Sequence, residues 1–231
     1  FDRAEVQAEV LGRNEWHCVT PPLAAGFKSL EVTSNNADYT AEGRQFEFEI
    51  VELFSTYPIS APCEGGTVVT LSGFNFQPAY RGNPLYCAWG TLATTPAVFT
   101  STSAVTCETP DLSVLGDCTE VSLSLMMGAV AIGDVLFQFY ESPRVLGLSP
   151  LIGPVDGGTT VNVDGRNIYS DTRCRFGDVL VQLAAVHSTT RLSCVAPAQN
   201  ATGLYAVELT SNERDFTSDG HLFEYVAPIS L

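Results

Sequence analysis

Cysteine is the residue type whose spacing in this chain could do chemistry. Cys87 and Cys107 stand 20 residues apart, and so do Cys174 and Cys194. Both pairs sit in one local sentence: Cys87-Ala-Trp-Gly and Cys174-Arg-Phe-Gly at the first cysteine, Cys107-Glu-Thr-Pro and Cys194-Val-Ala-Pro at the second. No Cys-x-x-Cys spacing points to zinc or to a redox motif, so the chemistry expected is oxidation of each pair to a disulfide. Closing a loop of that size stabilises a small domain by about 3 kcal/mol in the chain-entropy picture, and such bonds persist in an oxidising, extracellular setting. Cys63 and Cys118 are left over inside the middle repeat and are expected to bond to each other. Val155 stands where Cys63 would recur, so that bridge belongs to one repeat. Cys18 follows the spacing of Cys107 and Cys194, and its partner is expected two residues before Phe1.

Catalytic chemistry finds little to stand on. The chain has 3 histidines, His17, His187 and His221, none in a metal-ligand spacing. His17 adjoins Cys18, but neighbours on a strand point to opposite faces, so the expected arrangement is a bridged cysteine inside and a solvated imidazole outside. Glu47, Glu49 and Glu52 fall on a strand edge and linker, not in an acid/base pair. Asp164, Asp171 and Asp178 lie near one another in sequence but form no twelve-residue calcium loop. No catalytic residue, metal or cofactor is expected. Asn200-Ala-Thr202 is a sequon in a turn-rich stretch and is expected to carry an N-glycan.

The elements that must position these residues form a repeat. Ser29-Leu-Glu-Val-Thr-Ser-Asn-Asn-Ala-Asp-Tyr-Thr40 falls on Ala206-Val-Glu-Leu-Thr-Ser-Asn-Glu-Arg-Asp-Phe-Thr217, and the register continues without a gap from Gly43, Phe46 and Phe48 onto Gly220, Phe223 and Tyr225. The period is too long for the roughly 20–50-residue units of solenoids and suits a small β domain. Alternating apolar residues mark strands at Thr67–Ser72, Val121–Leu125, Thr159–Asp164 and Tyr205–Leu209, two of them after the turns Glu64-Gly-Gly and Asp156-Gly-Gly. Short strands between Gly, Pro, Asn and Asp turns predict all-β antiparallel sandwiches. Residues 1–52 match the second half of a repeat, 53–142 and 143–228 are whole copies, and 229–231 resemble the start of another. The expectation is that the sequence belongs to a longer polypeptide.

Charge narrows the partners. Against 11 Lys and Arg stand 26 Asp and Glu, a net charge of −15 that opposes phosphate neutralisation, so no nucleic acid is expected. No stretch approaches the roughly 20 apolar residues of a membrane span, so no membrane contact by this segment is expected.

Ser149-Pro-Leu-Ile-Gly-Pro-Val-Asp-Gly-Gly-Thr-Thr-Val-Asn-Val-Asp-Gly165, followed by Cys174-Arg-Phe-Gly, Cys194-Val-Ala-Pro and Phe223-Glu-Tyr, closely resembles the IPT/TIG domain. The resemblance implies tandem immunoglobulin-like sandwiches of the E-set type. The middle copy departs from it with Tyr57-Pro-Ile-Ser-Ala-Pro-Cys63 and an insertion around Gln77 to Pro84. The family implies extracellular arrays, modules beside starch-acting enzymes, or dimerisation modules of Rel-type transcription factors, and acidity with paired cysteines opposes the last. The function expected first is a rigid stalk, fibre or adhesive filament at the cell surface that self-associates or meets other surface proteins. The alternative is a spacer or ligand-docking segment of a plexin- or growth-factor-receptor-like ectodomain. Arg166, Arg173, Arg175 and Arg191 form the candidate interaction patch, where an acidic chain would pair its charge with a neighbour.

Overall fold

The computed structural model describes residues 1–78, 84–115, 118–181 and 184–228. Residues 79–83 of the insertion, and the expected start of a further repeat at 229–231, lie outside the described residues. The chain forms two compact units, Phe1–Val51 and Glu52–Leu231. The first holds β1 (Ala8–Gly12), β2 (Glu15–Cys18), β3 (Gly26–Ser29) and β4 (Gln45–Phe48), paired as two hairpins, β1–β2 and β3–β4.

The second unit holds two sandwiches. In the middle one, β5 (Glu52–Tyr57), β6 (Ser60–Pro62), β7 (Val68–Phe74), β8 (Leu85–Trp89), β9 (Ala93–Ser101), β10 (Ala104–Glu108), β11 (Glu120–Met127) and β12 (Val130–Tyr140) pair in the order β5-β7-β10-β9-β8-β11-β12-β6. β9 joins both halves, so one sheet folds over itself. In the last sandwich, β13 (Arg144–Ser149), β14 (Ile152–Pro154), β15 (Thr160–Arg166), β16 (Arg173–Phe176), β17 (Val179–Leu180), β18 (Ala184–Ser188), β19 (Arg191–Val195), β20 (Gly203–Thr210) and β21 (Leu222–Val226) separate into two sheets, β13-β15-β19-β18 and β14-β21-β20-β16-β17.

Antiparallel pairing prevails, with a parallel exception in each sandwich. β6 runs parallel to β12, and β14 parallel to β21. Pro58 and Pro150 explain the break: proline has no N–H for a ladder, so the opening strand leaves β7 or β15 there and rejoins on the opposite sheet. The following Gly-Gly turns need glycine. Gly65 and Gly157 have φ of +75° and +78°, and a Cβ on either would meet backbone atoms at 2.7 Å.

One aromatic arrangement recurs in all three copies, buried in the two sandwiches and partly exposed in the first unit. Trp89 packs edge-on against Phe137 and Phe139, with centroids 5.1 and 5.6 Å away. In the last sandwich Phe176 meets Phe223 at 5.7 Å, and Phe223 meets Tyr225 at 4.9 Å. In the first unit Phe1 meets Phe46 and Phe48 at 5.6 and 5.8 Å. Each such pair adds about 0.5–1.5 kcal/mol beyond the area it buries. The hairpins keep register as well: Ala8 lies opposite Cys18, Ala97 opposite Cys107, and Ala184 opposite Cys194.

Candidate functional site: the seam between the two sandwiches

The middle sandwich ends on β12 at Tyr140, and Glu141-Ser142-Pro143 leads directly into β13. So short a linker allows little independent tumbling, and its polar backbone must find partners. Asn167 Nδ2 donates to the Ser142 carbonyl at 3.1 Å, and the Tyr169 hydroxyl donates to the Glu141 carbonyl at 3.2 Å. Ser142 Oγ donates to Glu64 at 3.0 Å, and the Val145 amide donates to Asp219 at 2.8 Å. Tyr140 and Tyr169 pack edge to face with centroids 5.7 Å apart. Burial, and then the carboxylates of Asp215 and Asp171, push the Tyr140 phenol far above its ordinary pKa, so it stays neutral as an apolar joint.

A loop after β20 completes the seam. Asn212 Oδ1 accepts from the amides of Arg214 and Asp215 at 3.0 and 2.9 Å, an Asx turn that its own side chain closes. This leaves Asn212 Nδ2 free to reach outward, and it donates to Asp215 at 2.7 Å and to the Ser60 carbonyl of the middle sandwich at 3.0 Å. The Thr67 hydroxyl of the middle sandwich donates to Asp215 at 2.8 Å. Arg214 lies over the Tyr57 ring, 5.1 Å from its centroid. Asn212 is only 8 % exposed, so each of these polar atoms would be costly to leave unpaired.

Beside the clasp opens a cleft of about 620 Å³ with Tyr140, Glu141, Tyr169 and Asp171 on its walls. Cys118 also lines it but is held in a disulfide. These phenol and carboxylate groups can hydrogen-bond and orient a bound partner.

The structure places the remaining candidate residues as follows. Disulfides join Cys87 to Cys107 and Cys174 to Cys194, each linking opposite halves of a sandwich, with Cα atoms 6.3 and 6.4 Å apart. A third joins Cys63 to Cys118, with Cα atoms 5.8 Å apart. Among the described residues Cys18 has no bridging cysteine and is half-buried, and the neighbouring His17 is exposed. Asn200 is exposed in the turn between β19 and β20. His187 shares a hydrogen bond of 2.9 Å with Ser193 on an exposed strand face, away from the cleft. Among the described residues, no three His, Cys, Asp or Glu side chains group to hold a metal, and Asp164 instead pairs with Arg191 at 2.7 Å.

The four arginines do not form one patch. Arg166 and Arg191 lie on the sheet of β15 and β19, whereas Arg173 and Arg175 lie on β16 in the other sheet. Three of them are held by acids of their own domain: Arg191 by Asp164, Arg173 by Glu213, and Arg175 by Glu208. Arg175 also lies over the Phe216 ring, 3.5 Å from its centroid. Arg173 and Arg175 therefore brace the clasp loop from behind.

The seam residues Tyr140, Tyr169, Asn212, Asp215 and Thr67 were missed by reasoning about chemistry-bearing types. The signal that could have found two of them was in the repeat itself, where Asn35 and Asp38 recur as Asn212 and Asp215 although no strand pattern requires them.

Comparison with known proteins adds to this geometry. The family described as IPT/TIG domain matches residues 53–139 and 143–225. Human (Homo sapiens) Plexin-A4 is 25% identical over 205 residues, 85% of this chain and 10% of that protein. Plexin-2 of Caenorhabditis elegans is 27% identical over 179 residues, 75% of this chain and 10% of the relative. The chain thus spans about a tenth of the length of these relatives. A solved structure of the full extracellular region of Plexin A4 aligns with 97% of this chain and 21% of its own, at 19% identity and a TM-score of 0.51, and shares the fold.

Proposed function

Because the chain belongs to the IPT/TIG domain family, we propose that it is a segment of the ectodomain of a plexin-like surface receptor, serving as a jointed spacer and docking face for protein partners. The protein is extracellular or at the cell surface, in keeping with three disulfides. The observation that carries the spacer role is the clasp of Asn212 and Asp215 on Ser60 and Thr67, with Tyr140 packed on Tyr169. Side-chain hydrogen bonds and a ring contact over a linker this short set an angle between successive domains, and a spacer must keep that angle under load. The similarity to plexins over most of the chain supports a receptor over the stalk, fibre or adhesive filament. So does the engagement of Arg173, Arg175 and Arg191 within their own domain, which leaves an acidic surface that repels copies of itself. We assign an N-glycan to the exposed sequon at Asn200, whose bulk would oppose close packing of copies.

Sedimentation of the full-length glycosylated ectodomain at rising concentration and falling salt tests the choice. A receptor segment stays free of open-ended polymers, whereas growth into filaments restores the fibre. The Asn200→Gln protein should run lighter by one glycan, and an unchanged mass would remove that site.

A further inference from the structure

The clasp loop has a twin in the first unit. Asn35 Oδ1 accepts from the amides of Ala37 and Asp38 at 3.0 and 2.9 Å, as Asn212 does from Arg214 and Asp215. Asn35 Nδ2 donates to Asp38 at 2.8 Å, as Asn212 does to Asp215 at 2.7 Å. Thr40 Oγ1 accepts from the Val32 amide at 2.9 Å, as Thr217 does from Leu209 at 3.0 Å. Asn36 and Glu213 both hold left-handed φ, 55° and 61°. The aromatic that follows each turn is held by a different contact, Tyr39 through its hydroxyl donating to Glu5 and Phe216 beneath Arg175.

The two loops differ in what covers them. Asn212 and Ser211 are buried against the middle sandwich, whereas Asn35, Asp38 and Ser34 are exposed. Carrying the same outward-reaching amide and carboxylate on the same scaffold has a use where a partner meets them, and the last sandwich shows which partner that is. The loop grips the domain N-terminal to its own. The gripped elements are the carbonyl of Ser60, which opens β6, and the hydroxyl of Thr67, which ends the Gly65-Gly66-Thr67 turn that recurs as Gly157-Gly158-Thr159, so the hydroxyl belongs to the repeat. The middle copy has no such loop: there β11 returns to β12 through a tight turn at Met127–Val130.

We propose that the Thr33–Thr40 loop is a docking surface for the IPT/TIG domain that precedes it in the same polypeptide. Asn35 Nδ2 donates to that domain's carbonyl at the place of Ser60, and Asp38 accepts from its Gly-Gly-Thr hydroxyl. A domain joined in the same polypeptide meets the loop at high effective concentration, which lets so small a contact close. The proposal rests on the repeat and not on the receptor role, so the two fail separately.

Hydrogen exchange in the full-length ectodomain tests it, with the Thr210–Thr217 loop as internal reference. Both loops should exchange slowly, and replacing the preceding domain's Gly-Gly-Thr threonine with valine should speed the Thr33–Thr40 loop about tenfold, as Thr67→Val speeds its reference. That variant leaves the loop's own residues intact, and Asp38→Ala provides a second reading from the other side of the contact. Fast exchange at Thr33–Thr40 in the wild-type ectodomain, or indifference to the threonine change, would overturn the proposal. Protection that grows with protein concentration would overturn it too, because the occupant would then be another molecule.

Discussion

The middle and last sandwiches bury the same core and differ at its margins. In both, an aromatic two residues after the first cysteine packs on the final strand's aromatics beside a disulfide, and the four cysteines of the two bridges are at most 2 % exposed. At the margins, the middle sandwich adds the Cys63–Cys118 bridge where the last places Val155 against its core, and a tight β-hairpin where the last has the Asn212 loop. The shared residues are those that any copy needs to fold. Of the divergent ones, Cys118 lines the cleft at the seam and Asn212 reaches across it.

The largest effect should come from attacking what is shared. Trp89→Ala and Phe176→Ala each empty the centre of a core and should cost about 3–5 kcal/mol in their own sandwich, read as the loss of one transition in urea unfolding. Equal, small losses would mean that the aromatic cluster is not the common core. Next come the bridges. Replacing Cys174 and Cys194 with serine should cost roughly 3 kcal/mol and leave the last sandwich without a disulfide. The same change at Cys87 and Cys107 leaves the Cys63–Cys118 bridge in place, so calorimetry should find the middle sandwich still folded at temperatures where the last has melted. The reverse order would break the assignment of the extra staple to stability.

A smaller effect tests the margin. Thr67→Val and Asp215→Ala should be non-additive by about 1 kcal/mol in a double-mutant cycle, because each removes the other's partner across the seam. Additive losses would reduce the clasp to a bystander. The smallest effect separates the third member of the aromatic cluster, Phe139 in one copy and Tyr225 in the other. Burial pushes the Tyr225 phenol up to about 12. The unfolded chain loses this proton near pH 10 and the folded one later, so stability is full below pH 10 and falls as pH rises from there to about 12. Tyr225→Phe should flatten that part of the alkaline unfolding curve of the last sandwich, and an unchanged slope would place the titration elsewhere.

Much of the fold was legible without coordinates. Alternation at Val121–Leu125 and Tyr205–Leu209 marks strands because side chains on a pleated backbone change face at every residue, and β11 and β20 occupy those places. The Gly-Gly turns were legible because only glycine tolerates that backbone so close to another strand. The splitting of the first strand into β5 and β6 was not, since proline shows where a ladder must end but not which sheet the chain joins next. The arginines show the same limit. Arg166, Arg173, Arg175 and Arg191 are near in sequence, yet β15 and β16 belong to opposite sheets, and acids that answer three of them come from distant strands and loops.

By itself the sequence determined the repeat, the β class and the residues that must be buried together, because these follow from local periodicity and from the recurrence of the same types in order. Only the tertiary structure decided the seam. The local sequence around Asn212 closes the Asx turn, but the surface that its side-chain amide reaches, the Ser60 carbonyl, is set by the middle sandwich. Burial of a polar loop depends on which surface lies opposite it, and that surface is contributed by residues far away in the chain, whose placement no local pattern encodes.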